Sequence, residues 1–173
     1  CTYFGYAARP DYVFGLVAGL SWKGLSLSMQ WTGALHASRV LSGEYRTPFG
    51  TQNSRSLLTY LADGRWTEEN AENARFPRLT FVNKTQSTRD SDLWLMDGSY
   101  LRLKTAELAY TLKGDALKKV GVSSFKVFLS GYNLLTLFSE LEQYDIDPEG
   151  STGDGTYTYP NNRIYNFGIN ITF

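Results

Sequence analysis

The chain has 173 residues, enough for one ordinary domain, and its 17 basic and 17 acidic side chains cancel. That balance excludes a nucleic-acid binder built on a basic field. The one cysteine, Cys1, excludes an internal disulfide or a cysteine-based metal cluster. With 12 Tyr, 10 Phe, 4 Trp and 16 Gly at a slightly polar mean hydropathy, the composition suits strands that are apolar on one face only.

Alternation with period two predicts five strands. In the first, about residues 12–23, Tyr12, Phe14, Leu16, Ala18, Leu20 and Trp22 oppose Val13, Gly15, Val17, Gly19, Ser21 and Lys23. A tight Lys23-Gly24 turn leads to the second, about 25–37. There Leu25, Leu27, Met29, Trp31, Gly33 and Leu35 alternate with Ser26, Ser28, Gln30, Thr32, Ala34 and His36. A long connection, about 38–98, follows. Within it the apolar segment Leu57 to Leu61 reads as a helix, and Thr67 with Glu69 and Asn70 suits a second helix start.

The third strand, about 99–112, changes phase. Leu101 and Leu103 share one face, whereas Ala106, Leu108, Tyr110 and Leu112 share the other. Either a bulge lies near Lys104–Thr105 or the strand projects beyond a membrane. A short link leads to the fourth strand, about 124–136, with Phe125, Val127, Leu129 and Gly131 opposing Lys126, Phe128, Ser130 and Tyr132. After a second long connection, about 137–162, the fifth strand spans about 163–173. It sets Tyr165, Phe167, Ile169, Ile171 and Phe173 against Asn166, Gly168, Asn170 and Thr172.

Antiparallel neighbours alternate in direction, so the ends of strands one, three and five lie beside the start of strand four. Trp22, Tyr110, Phe125 and Phe173 then gather at one level of the apolar face, with Tyr12 and Tyr165 at the other. Aromatics placed by depth are the mark of membrane girdles. Short links at one end and long ones at the other match periplasmic turns and extracellular loops. Five strands cannot close, and an open edge in hydrocarbon costs several kcal/mol per unsatisfied backbone group. The expected fold is therefore an all-β, antiparallel transmembrane β-barrel, of which this chain is one part. No stretch reaches the ~18 consecutive apolar residues of a membrane helix, which has no bearing on membrane strands.

The segment Asp92-Leu93-Trp94-Leu95-Met96-Asp97-Gly98-Ser99-Tyr100-Leu101-Arg102-Leu103-Lys104 resembles the W-x-x-D-x-S-Y-L-R-L-K stretch of SusC/RagA-type TonB-linked transporters. Leu108-Ala109-Tyr110-Thr111-Leu112, the strand from Val127 to Leu135, Asp147-Pro148-Glu149, Tyr159-Pro160 and Ile164 to Phe173 resemble further pieces of that family in order. Upstream, Arg65-Trp66-Thr67 and Phe76-Pro77-Arg78-Leu79-Thr80 also fit, although Glu68 stands where the family usually has proline. The resemblance runs from about Asp11 to Phe173. It implies a 22-stranded barrel with a plug and a TonB box upstream, this chain supplying the last five strands. It also implies a SusD-type surface lipoprotein partner, contact with the TonB complex, and import of oligosaccharides or peptides across the outer membrane.

No catalytic set is expected, since His36 is the sole histidine and Cys1 has no evident partner. A mature lipoprotein would also begin with cysteine, but the plain reading of Cys1 is that the sequence starts there. Asp145, Asp147 and Glu149, with Gly150, are spaced like the start of an EF-hand loop, a weak calcium candidate because position 12 is Thr156 and Pro148 favours a simple turn. No other cofactor is expected. Glu107 on the third strand reads as a wet charge of a polar lumen. Among the loop aromatics, Trp66, Trp94, Tyr144, Tyr157 and Tyr159 are candidates to stack on substrate or pack against the lid protein. Trp66 reads as the more structural of these, because it lies between the two helix signals. The rival functions are a structural or adhesive barrel without transport and a soluble carbohydrate-binding β-sandwich.

Overall fold

The computed structural model describes residues 5–49, 56–81, 86–150 and 161–173. The chain forms two compact units, one within Tyr12–Leu35, Ser99–Ser139 and Asn161–Phe173, the other within Cys1–Asp11, His36–Gly98 and Glu140–Pro160.

The first unit is a five-stranded antiparallel sheet of β1 (Tyr12–Trp22), β2 (Leu25–Leu35), β5 (Tyr100–Leu112), β6 (Ser124–Leu137) and β7 (Ile164–Thr172), in that order. The ends fall within two residues of those predicted. Lys23 (φ 47°) and Gly24 (φ 88°) both adopt the left-handed region, which fits the two-residue hairpin whose twist matches its strands. Gly24 is required there twice over: a Cβ would also collide with the Thr111 carbonyl, 2.5 Å away. The β5–β6 link contains the short helix α2 (Asp115–Lys118).

Register sorts the side chains into two faces, because directly opposed residues project together. One row holds Trp22, Leu25, Tyr110, Val127 and Ile169; the next holds Leu20, Leu27, Leu108, Leu129 and Phe167. The intervening row on the other face is Ser21, Ser26, Ala109, Phe128 and Gly168, followed by Gly19, Ser28, Glu107, Ser130 and Asn166.

The phase change in β5 is a bulge. Consecutive Gln30 and Trp31 oppose Thr105 and Leu103, so Lys104 is the extra residue, and β6 spends Asn133 and Leu134 at the same place. Asn133 takes φ 52° there. The added residue returns Leu103 and Leu101 to the apolar face, opposite Trp31 and Gly33. Without it the upper half of β5 would present its leucines to the polar side.

The second unit is built from the two long connections, which fold together around their own core. Leu41, Leu61, Phe76, Trp94, Met96, Leu141, Tyr144 and Ile146 are buried in it. A two-stranded ribbon of β3 (Ser38–Val40) and β4 (Leu95–Asp97) brackets the first connection, and the predicted helix is α1 (Thr59–Asp63). The second helix does not form. Thr67 Oγ1 accepts the Asn70 N–H at 3.1 Å as a cap would, but only successive turns follow. Residues 68–73 carry three glutamates and no apolar stripe to bury, so nothing sustains a helix there.

Candidate functional site

The broad apolar face of the sheet is exposed across all five strands. Leu16, Leu20, Leu108, Leu129, Phe167 and Ile169 are each about half exposed or more, an uncovered surface no isolated soluble sheet tolerates. Its aromatics stand at both ends. Trp22 and Tyr110 share a row; Phe125 lies two residues beyond Val127 of that row, and Phe173 four beyond Ile169. At the far end Tyr12 opposes Leu35, whereas Tyr165 opposes Gly131 in the row of Ala18. Trp22, Tyr110, Tyr12, Tyr165 and Phe173 are exposed, and Phe125 is half-buried. The six aromatics thus occupy the two ends of the apolar face, although not two single rows.

The opposite face is polar and internally bonded. Lys126 Nζ donates to Glu107 Oε1 at 2.8 Å and stands 5.4 Å from the Phe128 ring centroid. Buried Arg102 donates through Nε to Thr136 Oγ1 at 3.1 Å, on the row that also holds Thr32. Glu107 is therefore an ion-paired member of a polar surface.

In the loop unit, sequence reasoning missed the central polar feature. Glu140 receives Arg75 Nη2 on one carboxylate oxygen and the Asp97 N–H on the other, both at 2.7 Å. Arg75 also reaches the Met96 sulfur at 3.5 Å and lies over the Tyr144 ring. No local pattern announces this, because Arg75 and Glu140 belong to different connections.

The proposed loop aromatics divide. Trp94 and Tyr144 are 2% and 5% exposed, with Trp94 stacked on Phe76 and donating its indole N–H to the Ser87 carbonyl at 3.0 Å. They are core side chains, packed in the buried cluster with Phe76 and Leu141. Trp66, read from sequence as the more structural of the five, is instead 39% exposed. Tyr157 and Tyr159 lie outside the described residues. Tyr60 donates its hydroxyl to the Tyr45 carbonyl, and burial, reinforced by Tyr45 and Tyr144, raises its pKa well above the usual phenol value. A cleft beside this core is lined by Arg46, Pro77, Arg78, Leu79, Phe81 and Thr88 among others, with enclosed space of about 30 Å³, room for a water rather than a ligand.

The acidic run does not converge. Asp147 Oδ1 accepts the Glu149 N–H at 2.9 Å in a local turn, and among the described residues no three acidic or histidine side chains cluster around a common point. Thr156 lies outside the described residues. His36 follows β2 in an exposed position, stacked on Tyr6 at 4.3 Å with Asp11 beside it at 3.7 Å.

The sheet is antiparallel, with one wide apolar face, one bonded polar face and aromatics at both ends of the apolar face, the patterning of membrane barrel strands. Among curated proteins, two from Formosa agariphila match: TonB-dependent receptor P26, 34% identical over 95% of this chain, and TonB-dependent receptor P3, 25% identical over 95%. Among solved structures, the RagAB peptide importer in its closed-closed state superposes over 99% of this chain at a TM-score of 0.72 and 29% identity. Its open-open state superposes over 97% at 0.70 and 29%. No family model matches. The chain belongs to the SusC/RagA type of TonB-dependent receptors. Its relatives are receptors and importers, not enzymes. It spans 17% and 16% of the two receptors and 18% of the matched RagAB chains.

Proposed function

We propose that this chain supplies the last five strands of a 22-stranded outer-membrane barrel that imports oligosaccharides or peptides, energised through TonB and working with a SusD-type surface lipoprotein. The observation that carries the membrane assignment is the stagger of the aromatics. Strands about 4.8 Å apart and tilted by about 40° fall out of depth by roughly one residue per strand. Four strand steps separate β1 from β7, so a level girdle drifts by about five residues. From Trp22 to Phe173 the drift is four residues, and from Tyr12 to Tyr165 it is six (18 − 12), in the same direction. Both girdles are thus consistent with one tilt. Ten residues from Tyr12 to Trp22 then span a depth of about 25 Å, the height of an outer-membrane apolar band.

In this reading the Glu107–Lys126 face lines the lumen, the short links face the periplasm, and the two long connections are extracellular. Transport would be energised passage, with no chemistry on the substrate. The relatives named as RagAB peptide importers support a peptide as one substrate class. The test is uptake of labelled oligosaccharides and peptides by cells carrying the complete gene, with and without TonB. TonB-dependent uptake of either class is the expected result. TonB-independent retention at the surface would indicate an adhesive barrel, and release of the protein without detergent would overturn the membrane assignment itself.

A further inference from the structure

The end of the sheet that carries the short links is charged on one side of neutrality. Residues 21–26 and 111–126 contain Lys23, Lys113, Lys118, Lys119 and Lys126 against one acid, Asp115. Lys126 is held by Glu107 at 2.8 Å and Lys118 by Asp115 at 3.1 Å. Lys23, Lys113 and Lys119 therefore carry the excess charge, and all three are exposed. Lys23 Nζ stands 5.0 Å from the centroid of the Trp22 ring, itself 66% exposed on the apolar face. Beside the Lys23-Gly24 turn an open cleft of about 530 Å³ is bounded by Trp22, Lys23, Leu25, Ser26, Thr111 and Lys113. It combines two ammonium groups and three hydroxyls, those of Ser21, Ser26 and Thr111, with an indole and a leucine.

We propose that this rim binds the headgroup phosphate of an anionic glycerophospholipid in the membrane leaflet next to the short links. The inference rests on the membrane reading above. The lipid's acyl chains would run from Trp22 and Leu25 inward past Leu20 and Leu27 of the apolar face, and Lys23 and Lys113 would meet its phosphate. Charge complementarity selects the occupant: a lysine close to an anionic surface gains about fivefold in binding. Lysine stems lie along apolar surface while their ammonium groups reach the headgroup level, and indole favours the same depth. A soluble acidic partner would satisfy the lysines yet leave the apolar row uncovered.

The test uses the full-length receptor equilibrated in detergent with equal phosphatidylglycerol and phosphatidylethanolamine, then purified, with retained lipid quantified by mass spectrometry. The wild type is expected to retain several-fold more phosphatidylglycerol. The K23Q/K113Q/K119Q variant should return the ratio to that of the mixture, while R163Q at the opposite rim should leave the enrichment in place. Heat-modifiable gel mobility reports whether each barrel is folded, and K113Q alone serves if the triple variant does not assemble. No enrichment in the wild type, or enrichment unchanged in the folded variants, would overturn the proposal. Displacement of the lipid by excess inorganic phosphate would overturn it too, by assigning the site to free phosphate. Uptake is not read here, so an inert barrel would give the same lipid result and the importer reading fails separately. Failure of the membrane reading would appear as extraction without detergent.

Discussion

Arg75 and Glu140 meet at 2.7 Å across 65 residues of sequence, joining the two long connections of the chain. With the Asp97 N–H on its second oxygen, Glu140 is the point where one connection grips the other. The ion pair alone would contribute little, since both side chains are partly exposed. The backbone N–H on the same carboxylate makes the arrangement directional.

Replacing Glu140 with Ala should therefore loosen the loop unit and spare the strands. A cost of about 1 kcal/mol is expected, reduced from the usual charged hydrogen-bond value by solvent screening. Limited proteolysis of the full-length receptor should show faster cleavage in residues 56–98, with the heat-modifiable mobility of the barrel unchanged. Equal cleavage of variant and wild type would contradict the clasp.

Trp94 and Trp66 should respond differently to truncation. Trp94→Ala empties a buried site and should cost about 3–5 kcal/mol of loop-unit stability. Trp66→Ala should fall within about 0.5 kcal/mol. Denaturant titration with a fluorophore placed in the loop unit separates them. Similar midpoints for both variants would show that the stacked Phe76–Trp94 pair is not a core contact.

The bulge makes a sharper demand. Deleting Lys104 would move Leu101 and Leu103 to the polar face, or Ala106, Leu108 and Tyr110 if the slip ran the other way. Assembly into membranes should be lost. For comparison, Leu108→Arg should cost about 2–4 kcal/mol by placing charge on the lipid face, and Ser28→Arg on the polar face should cost far less. Unfolding in lipid vesicles measures the difference, and equal losses would mean the two faces are assigned wrongly.

Alkaline pH should act on the loop unit first. Burial leads the upward shift of both Tyr60 and Tyr144; Tyr45 and Tyr144 add to it at Tyr60, while at Tyr144 Arg75 opposes and Glu140 assists. A phenol whose folded pKa lies above its unfolded 10.0 binds more protons folded than unfolded in the interval between. Its contribution is complete below pH 10 and declines as pH rises beyond it. Near-UV circular dichroism should change there before the far-UV strand signal does. Tyr60→Phe should flatten that pH dependence, at the cost of the hydrogen bond to Tyr45.

The five strands were legible because alternation is a local property: each residue's face is set by its neighbours two positions away. The phase slip in β5 was legible for the same reason. That Lys104 is the extra residue, with β6 adding Asn133 and Leu134, was decided by pairing across the sheet. The aromatics at the two ends could likewise be assigned to the apolar face from sequence, but only register revealed that they step along the strands. The loops were opaque for a physical reason. Trp66 reads from sequence as the more structural of the two, yet Trp94 is the buried one, and what buries it is a core assembled from two separated connections. Leu41, Phe76 and Trp94 come from the first of these, Leu141, Tyr144 and Ile146 from the second. Sequence alone determined the strands, their faces and the family resemblance. Tertiary structure decided that residues read as two loops make one packed unit, because burial depends on contacts that no local pattern encodes.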